Sequence, residues 1–278
     1  MVTVEALLAA LRLEPNGPDR YRAPNAALGH GVVFGGQLLA QSIVAALAGN
    51  DAMTVKTLHT VFARGVSFAD PIDIHVDRMQ AGRSFASSTV TISQGDRLCV
   101  RSSVLMSATE PDLIRHSDVI AAASTPEDST ATSEGDGDWQ VRVGGGVDID
   151  DPTSVGPAQL EAWSRFVGAP DDPGVNQGLL AFATEGMLIA TAMRPHEGVA
   201  QSLAHRTIAT SVISHTITFH EPCPAGDWFL LSLESPFAGG GRSYGRGHVA
   251  RRDGQLVASF TQDNMIRAMP APTPQEPS

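Results

Sequence analysis

The chain repeats itself, and that repetition limits the possible folds more than any other feature. Leu38-Leu39-Ala40 lies in one helical stretch, and Leu179-Leu180-Ala181 lies in a second. His59-Thr60 opens a strand-like run after the first helix, and His215-Thr216 opens one after the second. Gly82-Arg83-Ser84 returns as Gly241-Arg242-Ser243, and in both copies a turn glycine, Gly95 or Gly254, follows 13 positions after the first glycine. Four matches in one order set the architecture: each half is one helix followed by a four- or five-stranded antiparallel sheet that can wrap it. Joining the two sheets would cover an edge strand in each.

Taken in order, residues 3–13 have the spacing of a short amphipathic helix, and a turn through Pro15, Asn16, Gly17 and Pro18 follows. A helix then runs from Gly35-Gly36 to a stop at Gly49-Asn50. Strand-like runs cover 55–63, 72–79, 84–93 and 98–107. Residues 109–157 are rich in Pro, Ser, Thr, Asp and Gly, which is linker composition compatible with partial disorder. Beyond them come a helix over 176–193 and strands near 208–220, 228–235, 243–252 and 255–267. The expected organisation is an N-terminal domain over 1–108, a linker over 109–157 and a C-terminal domain over 158–278. The chain has 278 residues, 42% of them hydrophobic, which suffices for one large domain or two small ones.

One residue breaks the pattern of the second helix. Leu179, Phe182, Ala183, Gly186, Met187 and Ala190 form an apolar face, and Glu185 sits among them. Its helical neighbours are Ala181, Phe182, Leu188 and Ile189, none of them basic. A carboxylate in such surroundings is costly unless another element supplies a partner. Counted from the shared Leu-Leu-Ala, Glu185 corresponds to Val44 in the first helix, so a site built on this carboxylate occurs once per chain.

Parity identifies candidate partners. On the last strand Leu256, Ala258, Phe260 and Gln262 share a face, the more apolar one. On strand 211–219 Ser211, Ile213, His215, Ile217 and Phe219 share a face. Glu185, Gln262 and Ser211 are therefore expected on core-facing surfaces, and mutual hydrogen bonding would satisfy them. His215 and His220 have opposite parity and cannot share a metal from one face; no HxH or HExxH occurs. Because His59 and His215 hold matching places in the repeat, both are expected to be structural.

Net charge of −11 argues against bulk nucleic-acid binding. Arg242, Arg246, Arg251 and Arg252 form a local basic cluster, read either as a solvated strand edge or as a landing site for phosphates. Gly35-Gly36 at a helix start permits tight packing or close approach of a ligand to free N–H groups. Cys99 and Cys223 stand alone, which suits a reducing cytoplasm. The N-terminus lacks the marks of a signal peptide. No apolar run approaches the ~20 residues of a membrane span.

With these residues in view, the chain resembles the bacterial acyl-CoA thioesterase II (TesB-like) family. The matching stretches are VFGGQLLAQSIVAA (33–46), LHTVFARG (58–65), MQAGRSF (79–85), HTITFHEP (215–222) and GQLVASFTQDNMIR (254–267). The resemblance implies an α+β tandem (double) hotdog fold, with two long helices each wrapped by an antiparallel sheet and the two sheets joined. It also implies hydrolysis of fatty acyl-CoA to free acid and CoA, without metal or cofactor, and self-association through sheet edges. The family's catalytic group is an Asp on the second-half helix, a Thr or Ser at the start of the next strand, and a Gln near the C-terminus. The Asp falls on Glu185, one methylene longer, and the Gln falls on Gln262. An ungapped count puts the hydroxyl at Val212; Thr210 and Ser211 lie just before it, and both stay open. Gly35, Gly36 and Arg242 are the candidate substrate-binding residues. Two alternatives remain, a non-catalytic acyl-CoA-binding protein and an enoyl-CoA hydratase or dehydratase.

Overall fold

The structure is a computed structural model that describes residues 3–26 and 31–269. Helix α1 (Val4–Ala10) is followed by the short strands β1 (Glu14–Pro15) and β2 (Arg20–Ala23). Then come α2 (Gly35–Leu47), β3 (Thr54–Phe62), β4 (Ile72–Ala81), β5 (Phe85–Gln94) and β6 (Arg97–Ser107). The second half contains β7 (Thr130–Asp136), β8 (Trp139–Val143), β9 (Gln159–Phe166), α3 (Pro173–Thr184) and α4 (Met187–Met193). It ends with β10 (Ile208–Phe219), β11 (Phe229–Gly239), β12 (Arg242–Arg251) and β13 (Leu256–Ala268).

All these strands join one antiparallel sheet in the order β1-β2-β4-β5-β6-β3-β10-β13-β12-β11-β9-β8-β7. The halves meet where β3 pairs with β10. This is the edge-covering join that the repeat implies. Alternating strand residues point inward onto α2 and α3, which pack on each other. Gly178 contributes to this packing, since a Cβ there would lie 3.4 Å from the Cβ of Ala40. The turn glycines Gly95 and Gly254 have φ of +56° and +87°, the left-handed backbone that favours glycine.

Several expectations need correction. The segment 109–157 is not only linker: it contains β7 and β8. Trp139, Val141 and Val143 alternate inward on β8, which pairs with β9 and extends the second half of the sheet. The overall Gly and Asp content masks this short period-two pattern. The helix expected over 176–193 starts earlier, at Pro173, where Asp172 caps the Val175 N–H at 2.8 Å. It is also interrupted at Glu185–Gly186, between α3 and α4.

The two His-Thr pairs are not equivalent either. They pair with each other across the join, His59 with Thr216 and Thr60 with His215. Cross-strand partners share a face, so His59 is exposed while Thr60 and His215 are fully buried. Across the join, the counterpart of His215 is therefore Thr60.

Candidate active site

A cavity of about 640 Å³ lies between the halves. This size is ordinary for a small-molecule site. Its first wall is the start of α2, with Phe34, Gly35 and Leu38, and the end of β3, with Phe62 and Arg64. Its second wall is the α3–α4 interruption, with Ala183, Glu185, Gly186 and Met187, and the start of β10, with Thr210, Ser211 and Val212. Trp139 and Ile149, from the segment read as linker, also line it. Trp139 is held firmly: it packs edge-on to Phe182 at 5.1 Å, stacks on Phe166 at 6.0 Å, and donates from Nε1 to Ser164 at 3.0 Å.

Glu185 is only 6% exposed, and its side chain faces this cavity. Burial alone raises its carboxyl from 4.5 to about 8. The carboxylate packs directly on Gly35, where any Cβ would overlap Oε1. Gly36 serves a different contact, since a Cβ there would come within 2.5 Å of the Phe182 carbonyl oxygen. The two readings of the glycine pair thus divide between its members. Gly35 opens space for the carboxylate and the cavity, while Gly36 permits the close crossing of α2 and α3.

Gln262 is buried behind Glu185 and does not reach its carboxylate. Its Nε2 donates to the main-chain carbonyl of Glu185 at 3.0 Å and to Asn264 Oδ1 at 2.7 Å. Its Oε1 lies 2.8 Å from Nδ1 of His215. Nε2 of His215 in turn lies 3.1 Å from the Thr184 hydroxyl. The mutual side-chain contact expected among Glu185, Gln262 and Ser211 is therefore not formed.

Ser211 lines the cavity as an exposed residue and does not point inward with Glu185. A β-bulge at Ile213 inserts one residue, and the register with β13 shifts between Val212 and Ser214. The parity count across that point fails: Ser211 is exposed and bonds the Val212 carbonyl, while Thr210 and Val212 point inward. Thr210 and Ser211 both share the cavity with Glu185, but of the two only Thr210 is buried there.

Arg242 is exposed, lies outside the cavity wall, and donates to the Gly241 carbonyl at 2.9 Å. Arg246 pairs with Glu234, Arg252 pairs with Glu127 at 2.7 Å, and Arg251 bonds the Pro222 carbonyl. The basic cluster is thus mostly a set of surface contacts. The cation on the cavity wall is Arg64, exposed and anchored to the Leu98 carbonyl at 2.9 Å. It lies within the LHTVFARG stretch, where the sequence already carried a signal. Asn264 likewise lies within the GQLVASFTQDNMIR stretch, whereas Thr184 and Trp139 had no comparable signal. Among the described residues, no cluster of His, Cys, Asp or Glu could hold a metal ion.

Residues 23–107 match the acyl-CoA thioesterase N-terminal domain family, and residues 118–266 match the acyl-CoA thioesterase C-terminal domain family. The chain belongs to the acyl-CoA thioesterase family. The "Acyl-CoA thioesterase 2" of Haemophilus influenzae is 28% identical over 94% of this chain and 96% of its own length. The "Acyl-coenzyme A thioesterase 8" of Mus musculus is 25% identical over 94% of this chain and 89% of its own. An acyl-CoA thioesterase II, TesB2, from Mycobacterium marinum superposes with a TM-score of 0.79 at 26% identity, covering 97% of this chain and all of that one. Family membership and the joined sheet agree with the double hotdog architecture. Among the described residues no helix is long and apolar enough to cross a membrane.

Proposed function

We propose that this thioesterase-family chain hydrolyses fatty acyl-CoA to free acid and CoA, with Glu185 as the base. The observation that carries this reading is a buried carboxylate, raised to about 8, facing a largely apolar cavity between two helix ends. In its ionised form Glu185 takes a proton from water, and the hydroxide adds to the thioester carbonyl carbon. The Thr210 hydroxyl orients that water. The free N–H groups at the start of α2, beside Gly35, lie at the positive end of the helix and suit the developing oxyanion. As the tetrahedral species collapses the C–S bond breaks, and the proton held by Glu185 passes to the departing sulfur. Arg64 suits the phosphates of CoA, and the apolar walls suit the acyl chain. A cytoplasmic location and self-association belong to the same reading, as family expectations.

The test is thiol release from acyl-CoAs of increasing chain length. Saturable release that collapses in Glu185→Ala is the expected result. Saturable binding of acyl-CoA without thiol release would replace hydrolysis with a carrier role.

A further inference from the structure

Every polar atom of the Gln262 amide already has a protein partner, and those partners surround the break between α3 and α4. Glu185 and Gly186 keep right-handed helical dihedrals, with φ −77° and ψ −40° and with φ −78° and ψ −32°. The chain therefore continues in the helical sense while its hydrogen-bond ladder is interrupted. Carbonyls at such a break need other donors. Thr184 Oγ1 reaches the Ala181 carbonyl at 2.9 Å, and Gln262 Nε2 reaches the Glu185 carbonyl at 3.0 Å. His215 joins these two side chains, with Nε2 on Thr184 and Nδ1 on Gln262. Thr184 and His215 are 0% exposed and Gln262 is 1% exposed.

The donors and acceptors can be assigned from this closure. Both N–H groups of Gln262 point at oxygens, Glu185 O and Asn264 Oδ1, so its Oε1 must accept. The proton of His215 therefore sits on Nδ1. Nε2 is left as an acceptor, and the single proton of the Thr184 hydroxyl serves either it or the Ala181 carbonyl at any moment. Burial also lowers the imidazole to about 4, which keeps it neutral and limits it to this one proton.

We infer that His215 is a positioning residue for the hydrolysis proposed above: its Nδ1–H fixes the orientation of Gln262, whose amide then holds the Glu185 main chain and aims the carboxylate into the cavity. Without the Nδ1–H, the amide is free to turn over and set its oxygen against the Glu185 carbonyl. That contact is repulsive and would displace the backbone carrying the base. The inference rests on Glu185 being that base.

Two substitutions separate the nitrogens. The amide of His215→Asn can occupy the Nδ1 place, and that of His215→Gln reaches the Nε2 place. Asn removes more volume than Gln, so recovery in the smaller variant would not be an effect of packing. Steady-state hydrolysis of one acyl-CoA should show His215→Gln losing roughly 30- to 100-fold in kcat with little change in KM, the cost of a misplaced base. His215→Asn should recover most of that loss. Gln262→Met, which keeps length and loses the donor, should reproduce the kcat defect and serves if His215→Gln does not fold. Equal losses in Asn and Gln variants, confined to thermal stability, would overturn the positioning role. So would wild-type kcat in His215→Gln or, if that variant does not fold, in Gln262→Met. Glu185→Gln in the same assay separates the two levels: full activity there sinks the base itself, whereas an inactive Glu185→Gln beside an active His215→Gln sinks only this inference.

Discussion

The two halves place a polar row at the same level of the sheet, but they fill it differently. In the first half Thr60 meets Ser102 at 2.8 Å, Ser102 meets Ser42 of α2 at 3.2 Å, and Ser42 bonds back to Leu38 O at 2.8 Å. In the second half the row is Gln262, His215 and Thr184 of α3, with Thr184 bonding back to Ala181 O. The rows adjoin, because Thr60 and His215 are partners across the β3–β10 join. Three short hydroxyls close on themselves and leave α2 continuous over Gly35–Leu47. The longer imidazole and amide reach further, to the Glu185 carbonyl, where α3 gives way to α4. A repeated scaffold can thus yield one site per chain: the row is duplicated, and larger side chains in one copy hold open a helix that carries a carboxylate.

The largest test of that asymmetry is Glu185→Ala, for which kcat should fall by about 10² to 10⁴. The matching change in the first half, Val44→Ala, should leave kcat near wild type. Because burial raises Glu185 from 4.5 to about 8, kcat/KM should climb with pH through that range as the base ionises. Stability should move in the opposite direction. A carboxyl raised in the folded state stabilises fully below about 4.5 and loses that contribution as pH rises through about 8. The difference is on the order of 5 kcal/mol at 1.36 kcal/mol per unit. Denaturant melts of Glu185→Gln against wild type should therefore show a gain that grows from pH 5 to 9. A gain independent of pH would mean that the carboxyl is not destabilised by burial.

Gly35→Ala comes next. The new Cβ would overlap the Glu185 carboxylate, so the base must move, and kcat should drop by roughly 100-fold with modest loss of stability. Gly36→Ala should show the reverse emphasis. Its Cβ meets the backbone of Phe182, which cannot rotate away, so about 1–3 kcal/mol of stability should be lost. Thermal melts and kinetics on the same two proteins would separate the roles. Equal effects in both would erase the division between the glycines.

A smaller effect is expected at the start of β10. Thr210→Ala should lower kcat by about tenfold, the worth of one orienting hydrogen bond, while Ser211→Ala should be silent. This pair also marks where sequence reading stopped. Strand existence, the repeat and the inward face of Gln262 follow from period-two patterns, and those survive in the structure. The bulge at Ile213 has no such signature, and one inserted residue exchanges the faces of everything before it. The same limit explains Glu185. A run of apolar residues reads as one helix, because side chains that cap carbonyls at a break come from residues far away in sequence, here Gln262. Trp139 was hidden for another reason: five strand residues in a Gly- and Asp-rich region contribute little to composition.

The smallest expected change concerns the hydroxyl row. Ser42, Thr60 and Ser102 are each fully buried and bond mainly to one another. Removing one hydroxyl leaves its neighbour short of a partner, so Ser102→Ala should cost about 1 kcal/mol of stability. Double substitution tests the asymmetry more sharply. In Ser42→Ala with Ser102→Ala both partners of that contact are gone together, and the combined loss should be less than the sum of the single losses. Throughout, kcat should stay within about twofold, because no carbonyl at an active-site break depends on this row. Urea unfolding and steady-state rates on the three proteins provide the measurement. If Ser102→Ala instead lowered kcat as strongly as His215→Gln, the rows would act as one unit across the β3–β10 join, and the first half would belong to the catalytic apparatus rather than to its support.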